Sequence, residues 1–207
     1  MKTKAVLDHF SNVDPVLHKI IVTENIELTP FIPFTDHSQF FPKLCREIIS
    51  QQLVGKAADA IFNRFLALFP NKKITPKKIL ELSEQALRNV GMSWAKVRYV
   101  QNLAQETQSE AIKYDQFHTL PDEEIISELI QVKGIGRWTA EMFLIFTLGR
   151  EDVFSFGDLG LKNSFKKVYN VKDDKTLQKK MITITSRWSP YRSYGAMALW
   201  RFGDKTM

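Results

Sequence analysis

Val132 to Phe143 reads VKGIGRWTAEMF, with two glycines one residue apart, flanked by Lys133 and Arg137, directly before an apolar stretch of helical spacing. Glycine tolerates positive φ, so Gly134 and Gly136 permit a sharp backbone reversal. The helix that resumes around Trp138 then offers the unpaired amide hydrogens of its first turn, where the positive end of the helix dipole favours an anion. A phosphate suits that place. Bare glycines let the backbone approach closely, and Lys133 and Arg137 add charge without base specificity. An ordinary helical hairpin has the same local pattern, and G-x-G spacing alone does not separate the two. A second group able to do chemistry is Asp158, just before LGLKNSFKKVY. There, aspartate accepts the orphan amides of the helix that follows. Asp152 is the rival acid, and its place after Glu151 at a loop start reads as a turn or cap residue.

The elements that must position these groups are helical. Pro121 with Asp122, Glu123 and Glu124 opens a helix whose Ile125, Ile126, Leu129 and Ile130 form one stripe, and Met142 and Ile145 share the face of Trp138 beyond the turn. The unit is a helix-hairpin-helix. Upstream, Asp14 before Pro15 opens a short helix, and the apolar residues from Gln39 to Phe69 recur at helical spacing with a break near Gly55, giving two helices. Thr75 and Pro76 start a third that Gly91 stops, and Trp94 to Leu103 make another. His118 to Pro121 is a loop. Met181 to Thr185 is the best strand candidate, but the segment that holds it reads as helix. The expected fold class is all-α.

Composition bounds what such a chain can do. Its 207 residues suffice for one domain or two closely packed lobes. Lys and Arg outnumber Asp and Glu by 29 to 23, a balance compatible with a polyanion but equally with a solvated surface. The single cysteine, Cys45, excludes an internal disulfide, a four-cysteine zinc site and a four-cysteine iron-sulfur cluster. With no long apolar run and no signal-peptide core, the expected location is the cytoplasm, beside the nucleoid, in a bacterium and the nucleus in a eukaryote.

From Phe40 onward the chain resembles the helix-hairpin-helix (HhH-GPD) DNA glycosylase superfamily, in which the hairpin precedes an aspartate-bearing loop, here DVFSFGDLGLKNSF (Asp152 to Phe165). It is most similar to the alkylated-base branch, the 3-methyladenine DNA glycosylases. REIISQQLVGKAADAI (Arg46 to Ile61), VGMSWAKVRYVQNLA (Val90 to Ala104) and SPYRSYGAMALW (Ser189 to Trp200) carry that likeness. The resemblance implies a two-lobed helical bundle, one lobe from about 38 to 130 and the other from 1 to 37 plus 131 to 207, with damaged double-stranded DNA entering between them. It also implies a monomer.

The resemblance places the catalytic aspartate at Asp158. Cleaving an N-glycosidic bond develops positive charge on the sugar, and a carboxylate beside C1′ stabilises that charge and guides a water. Capping a helix with the same carboxylate holds it in place. Where related enzymes that also nick the strand carry a lysine, this chain has Trp138, and an indole forms no Schiff base. The implied enzyme is therefore a monofunctional hydrolase that leaves an abasic site, with no cofactor required and no iron-sulfur cluster. Trp138, Trp200 and Met142 are the expected base pocket, their flat or apolar surfaces suited to a flipped cationic purine. Leu53 is the expected wedge into the vacated stack, with Gln51 and Gln52 beside it. Lys133, Gly134, Gly136, Arg137 and Thr139 are the expected contacts to the DNA backbone, and the carbonyls of Val132 and Gly134 the expected seat of a structural sodium or potassium ion. Lys133 stands where many relatives have proline, Met142 where one bacterial relative has an aromatic, and Tyr191 where that relative has a tryptophan after proline. Two alternatives stay open: a glycosylase for uracil, hypoxanthine or oxidised guanine, and a noncatalytic DNA-binding module in which Asp158 is only a cap.

Overall fold

Helices begin where a small polar side chain can replace the missing carbonyl partners of the first turn, and this chain uses that device repeatedly. The computed structural model describes residues 2–53 and 55–205, and no strand occurs among them. Its helices are α1 (Lys2–Val13), α2 (Pro15–Thr23), α3 (Phe40–Ser50), α4 (Gly55–Ala67), α5 (Pro76–Glu81) and α6 (Glu84–Asn89). They continue with α7 (Trp94–Gln108), α8 (Asp122–Leu129), α9 (Arg137–Phe146), α10 (Leu159–Val168), α11 (Asp174–Thr185) and α12 (Arg192–Lys205). Asp14, Thr75, Ser83, Ser93, Asp158 and Asp173 each accept an amide of the helix they precede. None of the helices is long and apolar enough to cross a membrane.

One expectation about elements changes and one holds. The single helix foreseen after Thr75 is two, because Leu82 and Ser83 take extended backbone and the Ser83 hydroxyl accepts the Ala86 amide, starting α6 afresh. The MITIT stretch is helix: Leu177, Met181 and Thr185 are buried at four-residue spacing while Ile182 faces outward, so its apparent alternation is the edge of a helical stripe.

The chain divides into two compact units, residues 33–148 and residues 1–32 with 149–207. The middle unit thus extends past the expected limit at residue 130 and contains the whole hairpin, since α9 packs on α3 and α8. Its core is aromatic: Phe40 meets Phe143 edge to face at 5.6 Å, and Phe117 lies against both. In the other unit α10 packs along α12, and Asp14 gathers α1, α2, α10 and the segment before α12. Its Oδ1 accepts the Leu17 amide while Oδ2 accepts Tyr169 Oη at 2.7 Å and Trp188 Nε1 at 2.8 Å. A buried carboxylate with three donors is well compensated. Trp188 in turn lies so close to α12 that a Cβ on Gly195 would meet its ring at 2.3 Å.

Candidate functional site

In the middle unit the turn between α8 and α9 is built as the glycine spacing requires. Gly134 has φ +105°, and a Cβ there would meet the Tyr99 ring at 2.2 Å, so both conformation and space demand glycine. Gly136 is the N-cap of α9 with no side-chain acceptor and open space beside it. The first amides of α9 are therefore left without a capping side chain, the arrangement that receives an anion. Lys133 is exposed at the turn. Arg137 is different: its guanidinium makes a bidentate pair with Glu123 and a 2.9 Å contact with Glu141, which raise its pKa further. The charge expected to greet a phosphate is thus largely balanced within the protein.

A polar strap that the sequence reading missed fixes this turn. Gln51, the C-cap residue of α3, donates from Nε2 to the Gly134 carbonyl at 3.0 Å and to Thr139 Oγ1 at 3.1 Å. Lys96 Nζ donates to the Ile49 and Gln51 carbonyls at 2.8 and 2.7 Å, closing the end of α3. Burial lowers the pKa of this lysine. Thr139 is buried and bonded to Gln51, so it orients the turn from inside. The Val132 carbonyl accepts the Ile135 amide and the Gly134 carbonyl accepts Gln51.

Trp138, at the start of α9, is 38% exposed and, with Tyr99, Lys96 and Gln52, lines a hollow of about 620 Å³ beside the glycines. Met142, one turn on, is buried in the core and does not line that hollow. Leu53 lies off the helices, half-buried in the tight turn after α3, where its amide bonds the Ser50 carbonyl and Gln52 has φ +57°. It is therefore not part of an apolar helical stripe.

The other unit holds Asp158 and Trp200. Asp158 is the N-cap of α10, and its Oδ1 accepts both the Leu161 amide at 2.7 Å and Trp200 Nε1 at 3.1 Å. The loop bearing Asp158 is anchored to α12 at two levels. At the start of α12, Arg192 forms a fork with both Asp152 oxygens, Ser189 Oγ donates to Oδ2, and Ser193 Oγ bonds the Arg150 carbonyl and the Val153 amide. Eight residues later, or about 12 Å along the helix, Trp200 meets Asp158. Burial alone would raise the pKa of Asp152, but the donors from Arg192 and Ser189 outweigh it and hold the carboxyl below its ordinary value. Asp152 is thus a structural anchor. Trp200 also lines a pocket of about 370 Å³ with Gly160, Ser164 and Lys167.

The hairpin and Asp158 both fall inside one known family: residues 45–190 match the model of the HhH-GPD superfamily of base excision DNA repair proteins. The chain is 36% identical over 165 residues to DNA-3-methyladenine glycosylase 1 of Schizosaccharomyces pombe, covering 78% of this chain and 71% of the relative. It is 32% identical to the DNA-3-methyladenine glycosylase of Saccharomyces cerevisiae, over 98% of this chain and 80% of the relative. Among solved structures, an S. pombe 3-methyladenine DNA glycosylase in complex with abasic DNA superposes with a TM-score of 0.84 at 31% identity, covering 95% of each chain.

Proposed function

The chain belongs to the HhH-GPD superfamily of base excision DNA repair proteins, and from that premise we propose that it is a DNA-3-methyladenine glycosylase. Its substrate is double-stranded DNA carrying alkylated purines, and its product an abasic site. The observation that carries the chemistry is the Asp158 carboxylate, fixed at the head of α10 by the Leu161 amide and the Trp200 indole. As the glycosidic bond lengthens, positive charge grows on the sugar and a carboxylate already in place stabilises it without reorganising. The same group orients a water for attack at C1′.

A purine alkylated at N3 or N7 is cationic and already a good leaving group, so a single carboxylate with no partner acid suffices. Trp200, bonded to Asp158, offers an electron-rich face to such a base, a contact worth roughly 0.5 to 2 kcal/mol. With Trp138 in place of an amine, the reaction stops at hydrolysis. The backbone amides opening α9 take a phosphate beside Lys133, and Leu53 fills the space of the flipped nucleotide.

The test is incubation with methylated duplex DNA, with free bases and strand integrity analysed separately. Release of 3-methyladenine or 7-methylguanine, with strands intact until alkali is added, is the expected result. Asp158→Asn should abolish release while binding DNA as well or better, because a negative charge near phosphates is removed. Retained excision by that variant would defeat the mechanism.

A further inference from the structure

The middle unit carries another pocket of about 620 Å³, formed by the start of α3, the middle of α4, the segment before α5 and the end of α7. It shares no residue with the hollow at the hairpin. Helices α3 and α7 run antiparallel, since Lys96 near the start of α7 bonds carbonyls at the end of α3. The hairpin hollow takes Gln51 and Tyr99 from one end of this pair, whereas the second pocket takes Phe41 and Thr107 from the other. Tyr99 and Thr107 are eight residues apart, about 12 Å of helix axis, so the two openings lie toward opposite ends.

The lining of this pocket has two parts. Phe41, Phe62, Leu66 and Ile74 make an apolar floor, while Lys43, Arg46, Lys72 and Lys73 supply cations, and among the described residues no carboxylate lines it. Arg46 is paired with Asp59 at 2.6 Å and lies over the Phe62 ring, but Lys72 and Lys73 are exposed and Lys43 sits over the Phe34 ring at 4.0 Å. Burial, followed by repulsion from Arg46, makes the charged form of Lys43 less favourable, with Glu47 offsetting this in part. Asn71 and Lys72 both hold φ +55°, a conformation that non-glycine residues rarely adopt. Of the two, Lys72 lines the pocket.

We propose that this pocket is a second binding site for an amphipathic anion, its apolar body on Phe62, Leu66 and Ile74 and its carboxylate, sulfonate or phosphate head among Lys43, Lys72 and Lys73. Volume and lining match those of sites for small ligands. An anion also supplies a countercharge to Lys43, Lys72 and Lys73. The assignment does not rest on the glycosylase reading, because the pocket and the hairpin lie at different ends of the helix pair.

The test uses the full chain and the fluorescent anion 8-anilinonaphthalene-1-sulfonate, with the neutral N-phenyl-1-naphthylamine as its uncharged counterpart. One saturable sulfonate site is expected. Lys72→Glu with Lys73→Glu should weaken it by about tenfold, leaving the neutral probe and base release unchanged. Leu66→Ser should weaken both probes at an unchanged melting temperature. Laurate and a capped peptide with one tryptophan flanked by aspartates then compete for the bound probe. Displacement by laurate assigns the site to free carboxylates, and displacement by the peptide assigns it to an acidic polypeptide segment. No saturable site, equal affinity in the charge variant, displacement by abasic duplex, or displacement by neither competitor would overturn the proposal.

Discussion

Asp158 and Asp152 are six residues apart in one loop, and their partners divide their roles. Asp152 is consumed by Arg192 and Ser189, whereas Asp158 answers to an amide and an indole. Trp200→Phe keeps the ring and removes the Nε1 donor, so the carboxylate is held by one contact less. Excision should fall by about tenfold or more, since a hydrogen bond to a charged group is lost and the face offered to a cationic base is weaker, as single-turnover base release would show. Asp152 makes a pH prediction. Its folded pKa lies below the ordinary 3.8, so its contribution is fully present above that value and is lost as pH falls through the folded pKa. Arg192→Gln removes most of that depression. In thermal melts the variant should therefore be less stable than the parent near pH 6, and the gap should close in acid. Both aspartates were legible in the sequence as cap or turn residues, because each precedes a helix or opens a loop. Their tertiary donors were not, since Trp200 lies 42 residues and Arg192 lies 40 residues along the chain.

At the level of elements, the hairpin was readable because glycine spacing carries a backbone meaning. Gly134 meets that reading twice, through φ +105° and through the Tyr99 ring. Gly134→Ala should destabilise the middle unit by about 2 to 5 kcal/mol, adding left-handed strain to overpacking. DNA affinity should drop with it, measured beside a denaturant titration. Trimming Tyr99 to alanine should restore only part of the loss, since space returns but φ does not. The Gln51 strap was invisible beforehand because it ties residues 83 positions apart. Helix α1 escaped notice for another reason: only Val6 and Phe10 are buried in it, one pair at four-residue spacing in a largely polar stretch. The break between α5 and α6 hinges on Ser83, whose neighbours give no signal of a stop.

For the molecule as a whole, a surplus of six positive charges was a weak clue that gains meaning from what the hairpin offers. If phosphates are bound chiefly by backbone amides and Lys133, with Arg137 balanced by Glu123 and Glu141, few counterions are released on binding. The logarithm of duplex affinity should then fall only shallowly with the logarithm of salt concentration, with a slope of about −1 to −3, and Arg137→Gln should change that slope little. A steep slope that flattens in that variant would mean the pair with Glu123 opens on DNA. The two units also differ in how the chain builds them. Residues 33–148 are continuous, so the unit with the hairpin has all its parts once that stretch is made. Helices α1 and α2 emerge before the other unit, yet their partners α10 to α12 lie beyond the whole of it. At cellular synthesis rates that separation lasts roughly 5 to 25 seconds. During it, Val6, Phe10, Leu17 and Ile21, all buried in the finished unit, lack the core they later share, so the nascent stretch of α1 and α2 offers a chaperone an apolar surface.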